Sequence, residues 1–254
     1  MIQSKVRKEY LGVSAKSTGG HLSIMDAAIM LYFWLDTLSK FDLMFSKPYL
    51  DRKNDFEVDL TPTKKEESIK MLAEHILRET RNNIEFYEKE KNPDYNYVYR
   101  QSGYSLFMKF KHGDKLLAKG SVYLGASWFK GFSINNITEE NKTYDWYFQL
   151  MNFMINLLNA TYANIVILRS IDEYYKLKLD YTLTYISYFS NDFEHKIPDD
   201  IESVEYVYSD KGKYLITSSE DFLKDKESFL AHKDKIMRIG RELVQRVPGL
   251  VRKF

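Results

Sequence analysis

Residues Gly212–Leu250 read GKYLITSSEDFLKDKESFLAHKDKIMRIGRELVQRVPGL. A glycine opens a short apolar strand, a polar segment with the acids Glu220 and Asp221 follows, and a helix is predicted from Asp225 to Gln245. Phe229, Ile236, Ile239 and Leu243 recur at helical spacing and face the core. Immediately upstream, SVEYVYS at 203–209 and KYLITS at 213–218 form a hairpin around Asp210-Lys211-Gly212. A hairpin running into one amphipathic helix sets the fold class: strands and helices follow one another without a strict βαβ alternation.

Working outward, NIVILR (164–169) and YTLTYISYF (181–189) read as strands, and Tyr144–Asn159 as a helix with Trp146, Leu150, Met154 and Leu157 on one stripe. The middle of the chain is β-rich. In YSLFMKFK (104–111), Leu106, Met108 and Phe110 alternate with Ser105, Phe107 and Lys109; HGDK (112–115) turns the chain; LLAKGSVYLG returns it, and WFKGFSINN (128–136) follows as a third strand. Nearer the start, Val6–Val13 is a predicted strand, Gly19-Gly20 a loop, and Ser23 the cap of a helix over Ile24–Ser39. That helix carries Ile24, Ala28, Leu31, Leu35 and Leu38 on one face and Met30, Phe33 and Trp34 on the other, which predicts burial on most sides. DFEVDL (55–60) is a short strand; Thr61 as N-cap and Pro62 at the first helical position start a helix to Tyr87, and Asn92-Pro93 breaks the chain after it.

No Gly/Ser-rich or Pro-rich linker divides the sequence. The expected architecture is therefore one α+β domain over 1–254, with mostly antiparallel sheet packed against three to four helices. A long helix beside a set of strands occurs in both halves, about 1–135 and 136–254, so two similar halves are the alternative organisation.

Composition narrows the functions. The chain has 254 residues, 44% of them hydrophobic and 15% aromatic, which fits an ordered core and not a disordered chain. The net charge of +1, without a basic stripe, gives no reason to expect direct nucleic-acid binding. With no cysteine there are no disulfides, thiolate metal sites or cysteine catalysis. The start MIQSKVRKEYLGVSAKS is basic but lacks the apolar run of a signal peptide, and the longest apolar run, Ala27–Leu35 between Asp26 and Asp36, is too short to cross a bilayer. A cytoplasmic protein with no membrane association is expected.

Catalytic patterns are scarce. His21, His75, His112, His195 and His232 are dispersed; HExxH, GxSxG and the phosphate loop GxxxxGK[ST] are missing, and the glycines of GSVYLG (120–125) are wrongly spaced for a dinucleotide loop. Asp180 followed by Glu194-His195-Lys196 has the acid…acid-x-lysine order of metal-dependent nucleases, in which two acids hold Mg²⁺ and the lysine steadies phosphate. Its plainer reading is a charged loop beyond a strand. That loop, SNDFEHKIPDDIESVEY (190–206), is the most acidic stretch: Asp192, Glu194, Asp199, Asp200, Glu202 and Glu205 against Lys196 alone. Such a surface can attract a basic protein partner, with Glu220 and Asp221 as a secondary contact region. No catalytic, cofactor or metal site is assigned. A small-molecule-binding regulatory domain is a further alternative.

The segment 212–250 resembles the closing strand and helix of the immunity protein 52 family of bacterial polymorphic-toxin systems, through Gly212, Leu215, Ile216, Thr217, Glu220, Phe222 and His232. LTYIS (183–187), LFMKF (106–110) with Asn135, and YFWLDTLSKFDLMFSKPYL (32–50) fall in the family's order. The sequence departs from it at Tyr181-Thr182, where a Gly-Trp pair is expected, and at Pro48-Tyr49, in place of a tryptophan. The resemblance implies a non-enzymatic, cofactor-free, cytoplasmic protein that binds and neutralises a cognate toxin, often a nuclease effector delivered between competing bacteria by type VI secretion.

Overall fold

A computed structural model describes residues 11–20, 22–50, 56–89, 104–124, 129–138, 142–167, 185–218 and 226–250. They form ten strands and four α-helices, an α+β fold whose strand pairs are antiparallel wherever their register is defined. The chain divides into two compact units, Lys16–Ile134 and Met1–Ala15 with Asn135–Phe254. No described helix is long and apolar enough to cross a membrane.

In the unit 16–134, α1 (Ile24–Phe41) starts where expected. The Ser23 hydroxyl accepts from the Asp26 N–H at 3.1 Å, satisfying a donor that the first turn leaves open. Asp42 ends the helix, and its carboxylate accepts from Met44 N–H to begin a 3₁₀ turn over Leu43–Phe45. Ala27, Ala28, Leu31, Trp34, Leu35 and Leu38 are buried. Burial on most sides is not what the helix shows, however: Met25, Ile29 and Phe33, spaced four apart, are 49%, 46% and 56% exposed. Trp34 does reach the interior, stacked on Phe132 with ring centroids 6.2 Å apart.

The second helix, α2 (Lys65–Lys89), follows a 3₁₀ turn over Pro62–Lys64. The Thr61 side chain does not cap that turn; its N–H and hydroxyl both donate to Asp59, so the turning carboxylate is two residues earlier than expected. The strands β2 (Pro48–Leu50), β3 (Phe56–Glu57), β4 (Tyr104–His112), β5 (Lys115–Leu124) and β6 (Phe129–Asn135) lie in the order β3-β2-β4-β5-β6. The predicted hairpin holds, with Gly113 at φ +57° in its turn, and the predicted alternation puts Leu106, Met108 and Phe110 inward. Strand β1 (Leu11–Thr18) runs further than Val13 because Ala15 and Ser17 continue the buried alternation with small side chains; residues 6–10 of the expected strand lie outside the described residues.

The other unit contains α3 (Tyr144–Leu158), β7 (Tyr162–Ile167), β8 (Ile186–Ser190), β9 (Glu205–Ser209), β10 (Gly212–Ile216) and α4 (Lys226–Arg246), with the strands in the order β7-β8-β10-β9. Thr143 caps α3, and Asn159 ends it at φ 48°, a left-handed conformation that asparagine tolerates. The buried face of α3 is rotated from the predicted stripe: Tyr147, Leu150, Met151, Met154, Ile155 and Leu158 are inside, with Trp146 and Leu157 half-buried at its margins. Tyr162, Phe189, Leu215, Ile239 and Leu243 form one apolar cluster between the strands and α4. As predicted, Ile236, Ile239 and Leu243 face inward, at 1% exposure or less, while the side chain of Phe229 lies outside those described.

Candidate partner-binding surface

The acidic stretch is the connection 191–204 between β8 and β9. It has no regular secondary structure, and its backbone is held in four ways. Ile197 and Ile201, each 2% exposed, enter the cluster with Leu243 and Val247 of the α4 end, while Phe193, Val204 and Tyr206 pack against its margin. The Tyr206 hydroxyl accepts from the Ile201 N–H at 3.0 Å. Lys213, on β10, donates to the Ile197 carbonyl at 2.6 Å and pairs with Asp199. At the start of the connection, Asn191 donates to the Lys211 carbonyl from its backbone and to the Asp210 carbonyl from its side chain, both at 2.9 Å. A segment pinned this often presents its outward side chains in one arrangement.

The outward residues include the predicted carboxylates. Asp199, Asp200 and Glu202 keep 52%, 74% and 80% of their side chains exposed, and Asp192, Glu194 and Glu205 are exposed as well. They are less free than their sequence suggests. Arg238 reaches Glu202 at 2.9 Å and the Ser203 hydroxyl at 3.2 Å; Arg246 pairs with Asp200 and, at 2.8 Å, with Glu242. The Lys213 hydrogen bond holds the Asp199 carboxyl below the usual carboxylate range, and the hydrogen bonds that Arg246 donates to Glu242 and Asp200 push its guanidinium up. His195 lies 3.4 Å from Glu194. The formal count of six acids against Lys196 therefore overstates the local field. The missing signal was in the helix: Arg238, Glu242 and Arg246 recur every four residues, immediately beside the buried stripe Ile239 and Leu243.

Of the residues that carry the resemblance, Gly212, Leu215, Thr217 and His232 are scaffold. Gly212 lies against β8, where an added Cβ would come 2.7 Å from Ser190 Cα and closer still to the Phe189 carbonyl oxygen. Leu215 is in the cluster; Thr217 is buried and donates to the Tyr185 carbonyl at 3.0 Å; His232 is buried with its ring edge-on to Tyr185 at 6.0 Å. Glu220, Asp221 and Phe222 lie outside the described residues, as does Asp180, so the Asp180–Glu194–Lys196 arrangement has no described geometry. Among the described residues, no group of three or more His, Asp or Glu side chains is placed to hold a metal ion.

The unit 16–134 has a different kind of surface. The exposed stripe of α1 borders a groove of about 900 Å³ whose walls include Leu22, Ile29, Met30, Phe33, Leu60 and Pro62.

No protein-family model and no curated protein matches this chain. A solved structure to which it is similar is a Pseudomonas aeruginosa T6SS protein, at 8% sequence identity and a TM-score of 0.39, over 89% of this chain and 72% of the other. Likeness of that degree establishes neither a shared fold nor a shared role.

Proposed function

We propose that this chain is a cytoplasmic immunity protein of the polymorphic-toxin type, which binds a cognate bacterial toxin, a nuclease in this reading, and blocks it without chemistry or cofactor of its own. The observation that carries the reading is the pinned, acid-rimmed connection 191–204. An unstructured loop would lose conformational entropy on docking, whereas one already fixed by Ile197, Ile201 and Lys213 avoids most of that cost. Its carboxylates match the basic site that a nuclease needs for a polyanionic substrate. The sequence likeness of 212–250 to immunity protein 52 supports the same reading, since described residues of that segment, Lys213, Leu215, Ile239 and Leu243, build the platform on which the loop sits. Asp192, Glu194, Asp199, Asp200, Glu202 and Glu205 are the proposed contacts, with Glu220 and Asp221 secondary.

The test is co-expression with the toxin that this reading expects to be encoded beside the gene. Growth should be restored, and continued arrest with both proteins present would end the reading. The triple variant Asp199→Asn, Asp200→Asn, Glu202→Gln should bind that toxin more slowly and with a flatter salt dependence, because it removes three carboxylates, takes the ion-pair partners from Lys213 and Arg238, and leaves Arg246 paired with Glu242 alone. Unchanged association kinetics would remove the loop from the interface.

A further inference from the structure

Strand β9 ends the order β7-β8-β10-β9. Which of its backbone groups face outward follows from the hydrogen bonds of β10. The Thr217 N–H donates to the Tyr185 carbonyl, and the Lys211 carbonyl accepts from the Asn191 N–H, so odd-numbered residues around β10 bond toward β8. Alternation then turns Gly212, Tyr214 and Ile216 toward β9, where their register partners are Ser209, Val207 and Glu205. The N–H and C=O of Tyr206 and Tyr208 therefore point away from the sheet.

The side chains around this edge are accessible. Val207 is 40% and Tyr208 63% exposed. Sheet edges are commonly guarded by lysine, proline or a bulge. EYVYS contains neither residue, and its register against β10 runs without a shift. Charge is what marks the edge. Glu205 opens the strand and Asp210 follows its end, and neither carboxylate has an ion-pair partner among the described residues. The neighbouring cations are engaged elsewhere: Lys211 donates to Asn156 Oδ1 at 2.9 Å, and Lys213 holds Ile197 and Asp199. A second copy of this chain would bring its own Glu205 and Asp210 to the pairing, and like charges across a strand pair are unfavourable.

From this edge we infer that β9 takes up an extended segment of a protein partner by strand addition, and that the segment carries basic residues five positions apart to meet Glu205 and Asp210. The inference rests on reading the chain as a toxin-binding protein and names how the toxin is held: main-chain hydrogen bonds to Tyr206 and Tyr208, a β-branched residue beside Val207, and a cation at each end. Glu205 and Asp210 stand five positions apart along β9 and the turn that follows it, on the order of 15 Å of backbone at the rise of a β-strand, so a six-residue segment matches that length.

The probe is the end-capped peptide Lys-Val-Thr-Val-Thr-Lys, added to the full-length protein and followed by amide hydrogen exchange and NMR shifts. At saturation, exchange of the Tyr206 and Tyr208 amides should slow at least about tenfold. Replacing both peptide lysines by glutamate should abolish the effect. Glu205→Gln with Asp210→Asn should weaken binding up to about tenfold, as expected for two exposed ion pairs. Tyr208→Pro removes an outward N–H and leaves the pairing of Val207 and Ser209 with β10 in place, so it should lose the peptide and keep its circular dichroism. If that variant does not fold, the Glu205/Asp210 variant decides. Three results overturn the inference: no protection of β9 amides, equal binding by the variants, or protection of the same amides by rising protein concentration alone, which would make a second copy the occupant. Because no toxin enters the measurement, its outcome is separate from that of the co-expression test.

Discussion

The connection 191–204 and the helix α1 are opposite cases of the same problem. The first is among the most charged stretches of the chain, yet its backbone is fixed by Ile197 and Ile201 and three of its acids are answered by Lys213, Arg238 and Arg246. The second is among the most apolar, yet Met25, Ile29 and Phe33 stand in water along one stripe. A side chain's chemistry states what it could do, and its neighbours decide what remains available. Charge that is paired at home steers a partner less than its count implies, while apolar surface left uncovered is available in full.

Gly212→Ala should have the largest effect on this contrast, because it attacks the platform beneath the charged loop. Its Cβ would meet backbone atoms of Phe189 and Ser190, which cannot yield as a flexible side chain could. A loss of about 3 kcal/mol or more in urea denaturation is expected. Gly20→Ala, with nothing within 4 Å of the added carbon, is the matched control. A loss under about 1 kcal/mol at Gly212 would mean that the platform is soft.

Lys213→Met should come next, at about 1–3 kcal/mol, because it leaves the Ile197 carbonyl without its side-chain donor. It also carries a pH signature. Lys213 keeps the Asp199 pKa depressed in the folded protein, so the contribution of this pair is present above the unfolded Asp pKa and is lost as pH falls through the folded value. The stability gap between wild type and variant should therefore narrow on acidification below about pH 4. A gap independent of pH would mean that the Ile197 bond alone carries the effect.

The smallest effect should come from the apolar side of the contrast. Phe33→Ser on the exposed stripe should change stability by no more than about 0.5 kcal/mol, whereas Leu35→Ala, fully buried two positions on, should cost about 3 kcal/mol. Thermal or urea unfolding of the pair would tell whether Phe33 is a surface residue in solution.

Local features of the fold were legible in the sequence. Ser23 capping α1, the turn at Gly113, and the hairpin of β9 and β10 each depend on residues within a few positions of one another. What escaped depended on tertiary neighbours. The periodicity of α1 gave its apolar positions but not which stripe would be left uncovered, and the rotation of the α3 face follows from what packs on it. Small residues hid the continuation of β1 through Ala15 and Ser17. The acids of 191–204 were correctly picked out as exposed; their pairing with Arg238 and Arg246 was not, because those partners are 36 and 46 positions away along the chain. Glu220 and Asp221 stand outside the described residues, so their part in the site rests on sequence alone.

The connection 191–204 also separates two kinds of residue that most loops mix. Ile197 and Ile201 face the interior and hold its shape, whereas Asp192, Glu194, Asp200 and Glu202 face outward. Substitution at the outward positions leaves the anchors untouched. The outer face of this loop can therefore be altered one surface residue at a time while the fold beneath is kept intact.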